Sequence, residues 1–177
     1  MKNIEIKAKV SNIDAVEAKA AELSDTAMVV IKQHDTFYHV PGNQVALGGR
    51  LKLREFEDGT GELIYYERPD VQGPKLSSYS KVDLDAKKCK ELKQVLSVSN
   101  GVLGVVEKTR HLYMSGNTRI HIDRVKDLGH FMEFEVVLES EKQLEEGQKI
   151  AESLIQKFEI KEDSLLSGAY MDMILKM

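Results

Sequence analysis

The chain has 177 residues, a formal net charge of −4 and one cysteine, Cys89. That length suits one domain, read here as 1–177. A lone thiol excludes an intrachain disulfide framework or a cysteine metal cluster. The mild acidity argues against a nucleic-acid partner, no apolar run is long enough to span a membrane, and no signal-like stretch follows Met1, so a cytoplasmic protein is expected.

Strand-like alternation dominates the chain. From Asn3 to Val10, Asn3, Glu5, Lys7 and Lys9 share one face, and Ile4, Ile6, Ala8 and Val10 share the other. Ser11 with Asp14 resembles a helix-capping signal, followed by Ile13, Val16, Ala20 and Leu23 at helical spacing. A second β-rich stretch runs from Met28 to Val40 and ends at the turn Pro41-Gly42-Asn43. Strands over 49–57 and 61–68 flank the hairpin signal Asp58-Gly59-Thr60. A weaker strand covers 76–82. Asp85 then caps a lysine-rich helix with Cys89, Leu92 and Leu96 inward. Strands over 103–114 and 117–125 flank Ser115-Gly116, and another covers 131–138. Ser140 and Gln143 open an amphipathic helix carrying Leu144, Ala151, Leu154, Ile155 and Phe158. A short helical tail begins at Asp163.

The charge on the strands is sorted by face. Arg50, Lys52 and Arg54 oppose Leu51 and Leu53. Arg119, His121 and Asp123 oppose Ile120 and Ile122, and Glu133 and Glu135 oppose Phe134 and Val136. Lys108 and Arg110 also share a face. For any single strand a solvated outer face is the simpler reading. Five such strands with apolar backs, plus three amphipathic helices to cover those backs, predict an α+β protein built on a closed barrel with a polar lumen. Clustered Arg and Lys suit an anion with many oxygens, and clustered carboxylates suit a hard cation such as Mg²⁺ or Mn²⁺. A triphosphate with its metal satisfies both.

The segment Asn3-Ile4-Glu5-Ile6-Lys7 resembles the Glu-x-Glu-x-Lys motif of the CYTH superfamily, which includes class IV adenylyl cyclases, thiamine triphosphatases and other triphosphate tunnel metalloenzymes. The resemblance continues through His34-Asp35-Thr36-Phe37-Tyr38, Leu51-Lys52-Leu53-Arg54-Glu55, Glu107-Lys108-Thr109-Arg110, Ile120-His121-Ile122-Asp123, and 128–135, to the segment 167–175. It implies an eight-stranded antiparallel β-barrel, a tunnel open at both ends, with amphipathic helices packed outside. It implies phosphate contacts from Lys7, Lys9, Arg50, Lys52, Arg54, Lys75, Lys108, Arg110 and Arg119, and metal ligands Glu5, Asp123, Glu133 and Glu135. Within these sets Glu5, Lys7, Arg54, Lys108, Arg110 and Glu133 are expected to carry catalysis. The implied substrate is a triphosphate such as ATP, thiamine triphosphate or tripolyphosphate, converted by cyclisation to cyclic AMP and pyrophosphate or by hydrolysis. A homodimer is possible through an exposed helix face.

Two positions depart from the motif. Asn3 stands where the first Glu is expected, and Glu67 stands where a lysine precedes Gly-Pro, with Arg68 expected to point the other way. Both favour an alternative: a binding module that holds a nucleotide or polyphosphate without turning it over. A scaffold whose charged faces simply meet solvent is a third reading. His34, His39, His111 and His130 show no metal spacing and are expected at the surface or in packing, whereas His121 belongs to the charged face.

Overall fold

The computed structural model describes residues 2–177. In chain order the elements are β1 (Lys2–Lys9), α1 (Ile13–Leu23), β2 (Val29–Tyr38), α2 (Gly42–Ala46), β3 (Gly49–Phe56), β4 (Gly61–Glu67), β5 (Lys75–Leu84), α3 (Ala86–Ser99), β6 (Val102–Ser115), β7 (Thr118–Val125), β8 (Gly129–Leu138), α4 (Leu144–Lys157), β9 (Leu165–Leu166) and α5 (Tyr170–Leu175). The alternating segments all form strands, because a period of two puts every apolar residue on one side of the sheet.

The strands pair in the order β5-β4-β3-β2-β6-β7-β8-β1, and β1 pairs again with β5, which closes an eight-stranded antiparallel barrel. Closure leaves the ring without an exposed edge. Beyond the stretch where β5 holds β1, the two-residue β9 pairs with Lys7 and Ala8. Short hairpins set several registers. In the β3–β4 turn the Asp58 carboxylate accepts from the Thr60 amide at 3.0 Å, and Gly59 adopts φ +86°, a left-handed value that suits glycine.

The barrel is polar inside and apolar outside. Ile4, Ile6, Ile120, Ile122, Phe134 and Val136 point outward and are at most 1% exposed, because α1 and α4 cover them. Side chains of this size contribute about 1.5–3 kcal/mol each when fully buried. Leu53 and Tyr38 pack against Cys89 of α3, and Phe37, Val106 and Phe131 pack against Tyr170 and Met171 of α5. Asp85 caps α3 by accepting from Lys88 N–H at 2.8 Å, as its sequence implies. The cap of α1 is Asn12, not Ser11: its Oδ1 accepts from the Ala15 amide at 3.2 Å. Pro41-Gly42-Asn43 opens the short α2 in place of a plain turn, and the tail divides into a 3₁₀ turn, β9 and α5.

Candidate functional site

A cavity of about 350 Å³ runs through the barrel, lined by the alternate residues of every strand. Its charge is organised in layers. Asp35, 1% exposed, stands at the hub of one layer. Arg54 donates to it through Nε and Nη2 at 2.8 and 2.9 Å, Lys108 at 3.2 Å and Lys52 at 3.3 Å. Burial opposes the charge on Asp35, but Arg54, Lys108 and Lys52 hold its carboxyl well below the usual range. Burial pushes the Lys108 ammonium down to about 7 against the pull of Asp35, and crowding by Arg54 and Arg110 adds to the fall. Three cations therefore converge on one carboxylate beside open space.

The second layer is acidic. Glu5, Glu133 and Glu135 each bring a carboxylate oxygen within 4.8 Å of the others. Register explains the meeting: Glu5 lies opposite Glu135, and Lys7 opposite Glu133, across β1 and β8. Arg68 donates to Glu5 at 2.6 Å, and Arg110 reaches Glu133 at 3.5 Å. Burial pushes the Glu135 carboxyl upward, and the neighbouring Glu133 and Glu5 push it further. Burial acts on Glu133 in the same direction, yet Lys7 and Arg110 hold it down. Lys7 is lowered to about 8 by burial, with Glu133 opposing. Asn3 lines the same cavity with its Oδ1 buried and without a hydrogen-bond partner. Three carboxylates and an orphaned amide oxygen form a donor set suited to a hard divalent cation.

Several expected residues stand elsewhere. Asp123 is not among the clustered carboxylates. Arg110 grips it from Nε and Nη2 at 2.8 and 2.7 Å, and the Tyr170 hydroxyl donates to it at 2.8 Å. Burial works to raise its pKa, but Arg110 holds it at about 2. Lys9 shares the inner parity of β1 but lies past the end of the lumen and is exposed. Arg50 lies beyond the cavity lining and donates to Asp172 at 2.7 Å, fixing α5. Lys75 donates to the carbonyls of Val71, Leu166 and Ser167 at 3.0, 3.1 and 2.8 Å, so it staples the C-terminal segment. Arg119 stands at the mouth, 3.7 Å from Glu135. His121 lines the cavity, and burial, aided by Arg110, keeps its imidazole neutral.

The expectation for Arg68 is reversed. Glu62, Ile64, Tyr66 and Arg68 line the cavity in continuous alternation, so Arg68 points inward with no bulge, and Glu67 lies outside, where it accepts from Tyr65. The tunnel is also closed at one end. Ala169 and Tyr170 line it, and the Tyr170 ring lies 4.0 Å from Lys7 Nζ. Depth follows: Phe37, Asp123 and Tyr170 are 4%, 0% and 5% exposed, whereas the Arg119 and Lys81 side chains at the other end are 46% and 34% exposed.

A closed barrel with a charged lumen, holding a cationic cradle beside a carboxylate cluster, defines a β-tunnel protein of the triphosphate-tunnel class. The CYTH-domain model matches residues 1–170, and the chain belongs to the CYTH family. No curated protein matches it. Among solved structures it is similar to PH1012 from Pyrococcus horikoshii (23% identity, TM-score 0.77, 96% of this chain and 98% of that one). It is similar to a Vibrio parahaemolyticus protein provisionally assigned as an adenylate cyclase (23%, 0.77, 99% and 98%). It is also similar to HpAC1 from Hippeastrum, provisionally an adenylyl cyclase and described with a dominant triphosphatase activity (16%, 0.65, 98% and 95%).

Proposed function

We propose that the chain is an enzyme that breaks a phosphoanhydride bond of a triphosphate held inside the barrel, with a divalent cation at Glu5, Glu133 and Glu135. The observation that carries this reading is the pairing of two oppositely charged sets in one buried cavity: Lys52, Arg54 and Lys108 converging on Asp35, and the three glutamates within 4.8 Å of one another. A chain of phosphates presents many oxygens to the first set and shares a hard cation with the second.

A cation such as Mg²⁺ or Mn²⁺ bound there would neutralise phosphate charge and act as a Lewis acid at phosphorus. The protein's own part is positioning and electrostatics. Lys52, Arg54, Lys108 and Arg110 bind phosphate oxygens and stabilise the charge that grows on them as the bond breaks. Lys7 helps hold Glu133 in its ionised form, and Arg68 positions Glu5 through its hydrogen bond, so both are placed as ligands. In hydrolysis a water oxygen forms the new P–O bond, the bridging bond breaks with its electron pair going to the leaving phosphate, and the water gives up its proton to solvent. In the second reading the ribose hydroxyl oxygen of ATP forms the new bond to the α-phosphorus, the α–β bridging bond breaks with its electron pair going to pyrophosphate, and the hydroxyl proton goes to solvent. That reading draws on the resemblance to provisionally assigned adenylate cyclases.

Product identification decides between them. ATP, thiamine triphosphate and tripolyphosphate are each incubated with Mg²⁺ or Mn²⁺, and with chelator. Metal-dependent orthophosphate identifies a triphosphatase, and cyclic AMP with pyrophosphate identifies a cyclase. Tight binding without product from any of them would refute the enzyme assignment and leave a binding module.

A further inference from the structure

The lumen changes character along its axis. On β2 the inward residues run Ile31, Gln33, Asp35 and Phe37, from the exposed mouth to the closed end. At the mouth Ile31 is joined by Phe56 of β3 and Leu112 of β6, all three lining the cavity and half-buried. Register places Phe56 opposite Gln33 and Leu112 opposite Val29, so each is a diagonal inner-face neighbour of Ile31, about 7–8 Å away. None of the three belongs to the apolar clusters that hold the helices against the barrel. Apolar side chains inside the mouth of a charged cavity serve no core, and a bare phosphate chain would leave them against water.

We infer that Ile31, Phe56 and Leu112 form a shelf for the planar heterocycle of an organic triphosphate, so that the site prefers a heterocycle-bearing triphosphate to inorganic tripolyphosphate. The inference rests on the reading above, that the phosphate chain occupies the lumen. The polarity of the cavity fixes the orientation. The Asp35 layer lies deeper than Ile31, so phosphates placed there leave the ester end of the ligand at the shelf. Lys81 and Glu62, paired with each other at 2.9 Å, also line the mouth. Phe56 supplies the aromatic face, and Ile31 and Leu112 the flat apolar surface beside it.

Calorimetry on the full chain, in chelator so that nothing turns over, tests this with ATP, thiamine triphosphate and tripolyphosphate. In Phe56→Ser, affinity for the heterocycle-bearing ligands is expected to fall about tenfold, the size of a lost aromatic stack, with tripolyphosphate affinity unchanged. Leu112→Ser, at the edge of the shelf, should give the same pattern with a smaller factor and serves if Phe56→Ser does not fold. Equal weakening of all three ligands, or no weakening of any, overturns the shelf while leaving the phosphate cradle standing. Failure of every ligand to bind the unaltered protein overturns both.

Discussion

Replacing Asp35 by Asn tests whether the cradle is held together by a built-in counter-ion. The change keeps the shape and removes the charge on which Arg54, Lys52 and Lys108 converge. An amide offers one acceptor oxygen where the carboxylate offers two, and its NH₂ would face a cationic donor. Breaking a buried ion pair by removing one partner costs about 3–5 kcal/mol. Lys108 can shed its proton, since burial already holds it at about 7, and this moves the expected cost toward the lower end of that range. For a chain of this size each kcal/mol lowers Tm by about 2–4 °C, so a fall of about 6–12 °C is expected without ligand. Added tripolyphosphate supplies the missing negative charge, so it should raise the Tm of Asp35→Asn more than that of the parent protein. Thermal unfolding followed by circular dichroism, with and without tripolyphosphate in chelator, measures both effects. An unchanged Tm, or a smaller ligand-induced rise in the variant, would refute the counter-ion role.

Three other predictions are independent of that one. Lys7, Lys75 and Lys108 are lowered by burial to about 8, 8 and 7 from 10.5. Between those values and 10.5 the unfolded chain binds more protons than the folded one, so stability without ligand should rise from about pH 7.5 to 9.5; urea melts that are flat or falling across that window would contradict the assignment. Asn3→Glu adds a carboxylate beside Glu5, Glu133 and Glu135 and should tighten Mn²⁺ binding by about tenfold in a metal titration, whereas no change would put residue 3 outside the metal's reach. Gly104 faces Met171, whose Cε lies 2.4 Å from where a Cβ would stand. Gly104→Ala should therefore force the buried Met171 side chain to shift and cost about 1–3 kcal/mol in denaturant unfolding, and a neutral effect would mean that this side chain is not locked against β6.

Much of the barrel was legible because strand alternation and charge sorting point the same way. Leu51, Leu53, Ile120, Ile122 and Phe134 had to lie on the face opposite the charges, and closure follows once helices cover the apolar side. Alternation gives the face but not the depth along the axis. Lys9 therefore falls beyond the lumen, while Arg50 and Lys75 are drawn to Asp172 and to C-terminal carbonyls far off in sequence. Asp35 is named within the motif segment but given no role there, because it is the lone charge on the inner face of β2, among Ile31, Gln33 and Phe37, and no stripe marks it. Arg68 was placed outward on the assumption that Glu67 faced in, although counting the parity from Glu62 and Ile64 gives the opposite answer. The mouth shelf joins Ile31, Phe56 and Leu112, which lie up to 81 positions apart in sequence, and only the pairing of β3, β2 and β6 brings them together.

The most direct test of the central claim is calorimetric binding of tripolyphosphate to the full chain in chelator, compared with Arg54→Ala and Arg110→Ala. Binding of one tripolyphosphate per chain, weakened at least tenfold in both variants while each remains folded by circular dichroism, is the predicted result. Undiminished binding in both folded variants would mean that the phosphate chain does not lie in the lumen.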